Sequence, residues 1–190
     1  ALGGEPKAVP VYGSGGFGPT QEPGEAILQA TRYVERGCQA IKLRFSGQPS
    51  DIERLEAVVD AIPDHVRVMA DLNEKCDLLQ ATWLANECGE YNLMWLEEPL
   101  PTSDIAGYEA LAASSPVPLA TGEHHQGLVE LTPFFERNCC TVVQPDLAMM
   151  GGITEAMRVA TIADYYGLVV APHFLPAPVS YTHLRAHETR

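Results

Sequence analysis

Short apolar runs alternate with longer stretches in which apolar residues recur every three or four positions. The short runs span residues 9–12, 40–45, 66–71, 93–98, 118–123, 141–146 and 168–174, each of a length that suits a buried strand. Between them lie helical patterns such as Ile52, Leu55, Val58, Val59 and Ile62, and later Ile153, Met157, Ala160, Ile162 and Ala163. Alternation of this kind predicts βα units and a parallel sheet. Pro23-Gly24 is placed to open the first helix, Gly37 and Gly89 to close helices, and Ser50-Asp51 to cap the second helix.

The period selects among parallel sheets. Expected strand ends at Arg44, Asp71, Glu97, Glu123, Asp146 and His173 are 27, 26, 26, 23 and 27 residues apart. So even a beat predicts a TIM-like (β/α) barrel of the (β/α)7β type over a doubly wound sheet. A full barrel takes about 250 residues and eight strands, so seven expected strands make an incomplete barrel with its eighth strand missing. Residues 1–178 form the expected partial barrel domain. Residues 179–190 are polar and basic where an amphipathic helix is due, and they resemble translated sequencing-adapter read-through. They are expected to be a foreign or disordered tail, and the spacing of His183, His187 and Glu188 within them is assigned no chemistry.

Composition narrows the partners. The 190 residues carry 12 Lys and Arg against 25 Asp and Glu, a formal charge of −13 that repels nucleic acid and anionic membranes. No apolar run approaches the roughly 18 residues of a membrane span, and the first residues do not read as a signal peptide. Five cysteines without CxxC spacing read as reduced, buried thiols of a cytoplasmic protein.

The acids carry the chemistry. Asp71, Glu97 and Glu123 each follow an apolar strand pattern, one βα unit apart. On a barrel their strands would end side by side on the face where active sites are built. Three converging carboxylates repel one another unless a cation joins them, and an all-oxygen set points to Mg²⁺ rather than zinc. Lys42 and Arg44 alternate with Ile41, Leu43 and Phe45, so both cations are expected at the barrel mouth. Asp146 and His173 end neighbouring strands, an arrangement that orients a histidine as a general acid or base. Together these groups suit removal of a proton α to a carboxylate.

At these residues the chain resembles the barrel domain of the enolase superfamily, in the branch of mandelate racemase and the acid-sugar dehydratases. The matching pieces are Ala40-Ile41-Lys42-Leu43-Arg44, Ala70-Asp71-Leu72-Asn73, Trp95-Leu96-Glu97-Glu98-Pro99, Gly122-Glu123-His124-His125, Gln144-Pro145-Asp146 with Gly151-Gly152-Ile153-Thr154, and Ala171-Pro172-His173-Phe174. The resemblance implies that Asp71, Glu97 and Glu123 are ligands of Mg²⁺, that Asp146 and His173 are the catalytic dyad, and that Lys42 and Arg44 match the family's Lys-x-Lys pair. Asn73 and His124 match positions that often face the substrate. The implied activity is a hydro-lyase. It removes the proton α to a sugar-acid carboxylate through a metal-stabilised enediolate and gives a 2-keto-3-deoxy acid. A homo-oligomer is the expected full-length assembly.

Two departures bear on this. Arg44 stands where the family's second lysine acts as a base, and an arginine is a poor base; this favours dehydration over racemisation or epimerisation. The family's capping domain and eighth strand are not expected within residues 1–190, so a non-catalytic fragment is the rival reading. Gly13-Ser14-Gly15-Gly16-Phe17-Gly18 matches a dinucleotide fingerprint, but Pro19 and Pro23 delay the helix and the second strand ends in cations instead of an acid. A loop is expected there. Gly151-Gly152 suits a tight turn or an anion at a helix start, Cys139-Cys140 the start of a buried strand, and Trp83 and Trp95 the core.

Overall fold

A computed structural model of the chain describes residues 8–174, and the expected 179–190 tail, with His183, His187 and Glu188, lies outside them. Among the described residues, six parallel strands follow one another in sequence order across one sheet. They are β1 (Ala40–Arg44), β2 (Arg67–Asp71), β3 (Leu96–Glu97), β4 (Leu119–Thr121), β5 (Val142–Val143) and β6 (Val169–Val170). The helices are α1 (Pro23–Glu35), α2 (Ser50–Ala61), α3 (Leu78–Cys88), α4 (Ile105–Ser114), α5 (Leu128–Glu136) and α6 (Ile153–Tyr165). Among the described residues, none is long and apolar enough to cross a membrane.

The first expected strand, over 9–12, is not formed. In its place Gly13 makes a single parallel bridge to Ile41, with its amide donating to the Ala40 carbonyl at 2.9 Å. The other runs form strands shorter than expected, trimmed at the start in β2, at the end in β1, and at both ends in β3 to β6.

Period-two alternation sorts the strand residues onto two faces. Ile41, Leu43, Val68, Ala70, Leu96, Leu119 and Val143 join the large core shared with the helices. Met69, Trp95, Ala120 and Val142 form a second, smaller apolar cluster on the opposite face, with Tyr12 packed against it. Lys42, Arg44, Asp71 and Glu97 share the face of this second cluster by the same alternation. The inner face therefore changes from apolar to charged along the strand direction.

Local signals vary in how they act. Asp77 caps α3 in a capping box with Gln80, while Pro23 opens α1 as expected. The Ser50 side chain does not cap α2. Instead Asp51 reaches back to accept from the amides of Ser46, Gly47 and Gln48, at 2.7–3.1 Å. Trp95 is core, but Trp83 is 36% exposed on α3, contrary to the expectation for it. Cys139 and Cys140 are buried just before β5, and Gly151 and Gly152 adopt positive φ in the turn before α6. The glycine-rich segment is a loop: the Tyr33 hydroxyl and the Gln29 amide both donate to the Gly15 carbonyl at 2.9 Å.

Candidate active site

Strand ends bring the predicted acids together. Asp71 closes β2 and Glu97 closes β3, and the two are register partners. Glu123 arrives differently. Glu97 pairs in register with Ala120, so Glu123 lies three residues beyond that level, past the end of β4. The equal sequence spacing of 26 therefore hides an unequal placement, in which Glu123 leans back over the strand ends. Gly122 allows the bend: its φ is +136°, and a Cβ there would sit 2.8 Å from the Gln144 backbone nitrogen. One ligand atom from each of Asp71, Glu97 and Glu123 lies within 4.8 Å of the others.

The cations occupy two levels. Lys42 is buried and ion-paired with Glu97 and, at 3.2 Å, with Asp71 Oδ2. Burial disfavours its charge, but the Glu97 and Asp71 carboxylates more than reverse this, and its pKa ends above the ordinary lysine value. Arg44 is partly exposed at the rim and reaches Asp71 Oδ2 at 3.4 Å. Burial, reinforced by the Glu97 charge, raises the Asp71 pKa against the pull of both cations.

On the other flank His173 Nδ1 lies 2.8 Å from Asp146 Oδ2, and the two residues form a parallel bridge beyond β5 and β6. The ring is therefore held through Nδ1 by Asp146, and Nε2 is turned toward Glu123 Oε2, 3.0 Å away. Asn73 donates its amide to Glu123 Oε1 at 2.9 Å, and its backbone N–H donates to Asp71 Oδ1 at 3.0 Å. His124 is paired through Nδ1 with buried Glu98, and Nδ1 lies 3.8 Å from Glu123 Oε1. Burial, then the Glu123 charge, lifts the Glu98 pKa to about 7.

All nine residues singled out in the sequence thus meet in one region. Three further residues take part. Trp95 donates its indole N–H to Glu97 Oε2 at 3.1 Å, and Gln144 donates its amide to the same oxygen at 2.7 Å. Glu98 backs His124. Trp95, Gln144 and Glu98 all sat in quoted motifs, but Trp95 was read as core and the other two had no feature that distinguished them. Their partners are separated from them by up to 47 residues, which sequence spacing does not reveal. Asn73, Glu74 and Glu98 all have positive φ, at 42°, 61° and 39°. Backbone strain at non-glycine residues collects where side chains must be aimed.

The donor set fits a hard divalent cation. Among the described residues, buried Asp71 Oδ2 and Glu123 Oε2 receive no hydrogen bond, and they lie close to the other carboxylates of the cluster. Three carboxylates with oxygen donors match the preference of such an ion.

Comparison with known proteins gives the class. The family described as "Enolase C-terminal domain-like" matches residues 25–187. The chain belongs to the enolase superfamily, in the branch that contains mandelate racemase and the acid-sugar dehydratases. Among its relatives, L-talarate/galactarate dehydratase of Salmonella typhimurium is 36% identical over 178 residues, which is 91% of this chain and 44% of that protein. D-galactarolactone cycloisomerase of Agrobacterium fabrum is 30% identical over 149 residues, covering 78% of this chain and 39% of that protein. The crystal structure of L-talarate dehydratase from Polaromonas sp. JS666, complexed with Mg and L-glucarate, superposes with a TM-score of 0.82 at 34% identity, over 86% of this chain and 46% of that one. The chain spans less than half the length of each of these proteins.

Proposed function

We propose that this chain is the catalytic portion of a Mg²⁺-dependent acid-sugar dehydratase, a hydro-lyase acting on a small sugar acid, and that its sheet is the greater part of a (β/α)7β barrel. The observation that carries the reading is the convergence of Asp71, Glu97 and Glu123 within 4.8 Å, with the His173–Asp146 pair turned onto Glu123. The dehydratase relatives, one of them crystallised with Mg and L-glucarate, support the same substrate class.

Asp71, Glu97 and Glu123 would hold the Mg²⁺. When bound, it supplies stabilisation of the negative charge that develops on the substrate carboxylate. The residues of the chain do the rest. His173 Nε2 takes the proton from C2, while Asp146 holds the ring through Nδ1. The same proton then passes from His173 to the C3 hydroxyl, which leaves as water. The resulting enol gives up its C2 hydroxyl proton and takes a proton at C3, giving the 2-keto-3-deoxy acid. Arg44 stays charged throughout and serves as an electrostatic partner of the substrate. Lys42, buried between Glu97 and Asp71, offsets the charge of the cluster from beneath. Asn73 fixes Glu123, and His124 borders the same opening.

The test follows the complete protein with Mg²⁺ and a panel of aldonates and aldarates in D₂O by proton NMR. Loss of the C2 proton together with a keto product is expected for at least one compound. Absence of both from every compound would overturn the proposal, and exchange at C2 with retention of every hydroxyl would replace dehydration by racemisation or epimerisation. His173→Asn is expected to lower turnover by roughly 10²-fold or more. Turnover near the wild-type rate would remove His173 from the mechanism.

A further inference from the structure

Buried Arg54, on the second turn of α2, donates four hydrogen bonds. Its Nη1 donates to the carbonyls of Pro19 and Gln21, both at 3.1 Å, and its Nη2 donates to the Arg44 carbonyl at 2.8 Å and to Asp51 Oδ1 at 2.7 Å. Asp51, wholly buried, also binds the amides of Ser46, Gly47 and Gln48. The guanidinium thus joins three segments: the end of the glycine-rich loop, the last residue of β1, and the loop that leaves β1. Three of its four partners are backbone carbonyls, whose positions a planar fork fixes and a point charge does not.

We infer that Arg54 is a positioning residue for Arg44. It ties the carbonyl of Arg44 to Pro19 and Gln21, so the glycine-rich loop and the rim cation of the active site move as one unit. Arg44 is the last residue of β1, so the place of its side chain follows from where its backbone is held. Its guanidinium arrives 3.4 Å from Asp71 Oδ2, a contact with little slack. The glycine-rich loop is anchored to the same strand at Gly13, whose carbonyl accepts from the Lys42 amide at 2.8 Å. Arg54 closes the other end of that loop. The assignment of Arg44 to the substrate rests on the dehydratase reading; the coupling of the two segments does not.

Two measurements on the complete protein test this. In Arg54→Lys, amide hydrogen exchange is expected to accelerate together in residues 14–21 and 45–48, at least ~10-fold, with α4–α6 unchanged. The value of kcat on the sugar acid that the wild type turns over is expected to fall ~10- to 100-fold, as for a small misplacement of a charged group. In Arg54→Ala, guanidinium at sub-denaturing concentration is expected to restore both exchange protection and kcat. Acceleration in one segment alone, or spread over all helices, would overturn the clamp. Loosening of both segments with unchanged kcat, or restored protection without restored kcat, would leave Arg54 a structural residue and overturn the positioning role. If the wild type turns over no sugar acid, the dehydratase reading falls, and exchange still decides the clamp.

Discussion

His125 shows how much one side chain's surroundings decide. It follows His124 directly, yet its ring is buried edge-on against Phe134, with centroids 4.8 Å apart, and neither nitrogen has a hydrogen-bond partner among the described residues. Burial lowers its pKa to about 4. The folded-state pKa lies below the unfolded value of about 6.5, so the unfolded chain takes up the proton first as pH falls. Stability is unaffected by this group above pH 6.5 and is lost progressively between about 6.5 and 4, by on the order of 3 kcal/mol in all. Urea midpoints measured at pH 7.5 and 5 are expected to differ less in His125→Phe than in the wild type. An equal difference would show that the ring titrates normally. The pair His124-His125 looked uniform in sequence; only burial separates a partly exposed rim residue from an apolar one.

At the scale of elements, the strand-to-loop corners aim the acids. Gly122→Ala puts a Cβ 2.8 Å from the Gln144 nitrogen at a φ of +136°, where a side chain is already strained. The variant is expected to lose about 2–3 kcal/mol, read from its urea midpoint, and to bind Mg²⁺ more weakly because Glu123 is displaced. Wild-type stability and affinity together would mean the corner relaxes freely. The helices were more legible than the strands. Pro23 marked a helix start as a local rule predicts, whereas the Asp77 cap of α3 was not singled out and Ser50 does not cap α2. Asp77→Ala should cost about 1 kcal/mol in thermal or urea unfolding, with no effect on the site. The 9–12 run failed as a strand because pairing is non-local, and the chain there meets β1 only at Gly13.

For the molecule as a whole, the charged end of the inner face is a store of repulsion that a cation relieves. Asp71, Glu97, Glu98 and Glu123 gather beside Lys42 and Arg44 at the ends of three strands. Saturating Mg²⁺, at about 100 times its Kd, is expected to stabilise the complete protein by about 2.7 kcal/mol, a rise of about 3 °C in Tm for a chain of the relatives' length. A chelator should reverse it, and Glu97→Gln should abolish most of it; a Tm blind to Mg²⁺ would dissociate the three carboxylates from metal binding. The sequence by itself determined the βα order, the in-order parallel sheet and nine of the residues that gather at the strand ends, because period and residue type are local properties. Tertiary structure alone decided that Lys42 lies beneath the carboxylates while Arg44 stands at their rim. It also decided that Glu123 bends back three residues past its register level, and that Trp95 and Gln144 hold Glu97. Those are matters of register and depth, set by hydrogen bonds between strands that lie far apart along the chain.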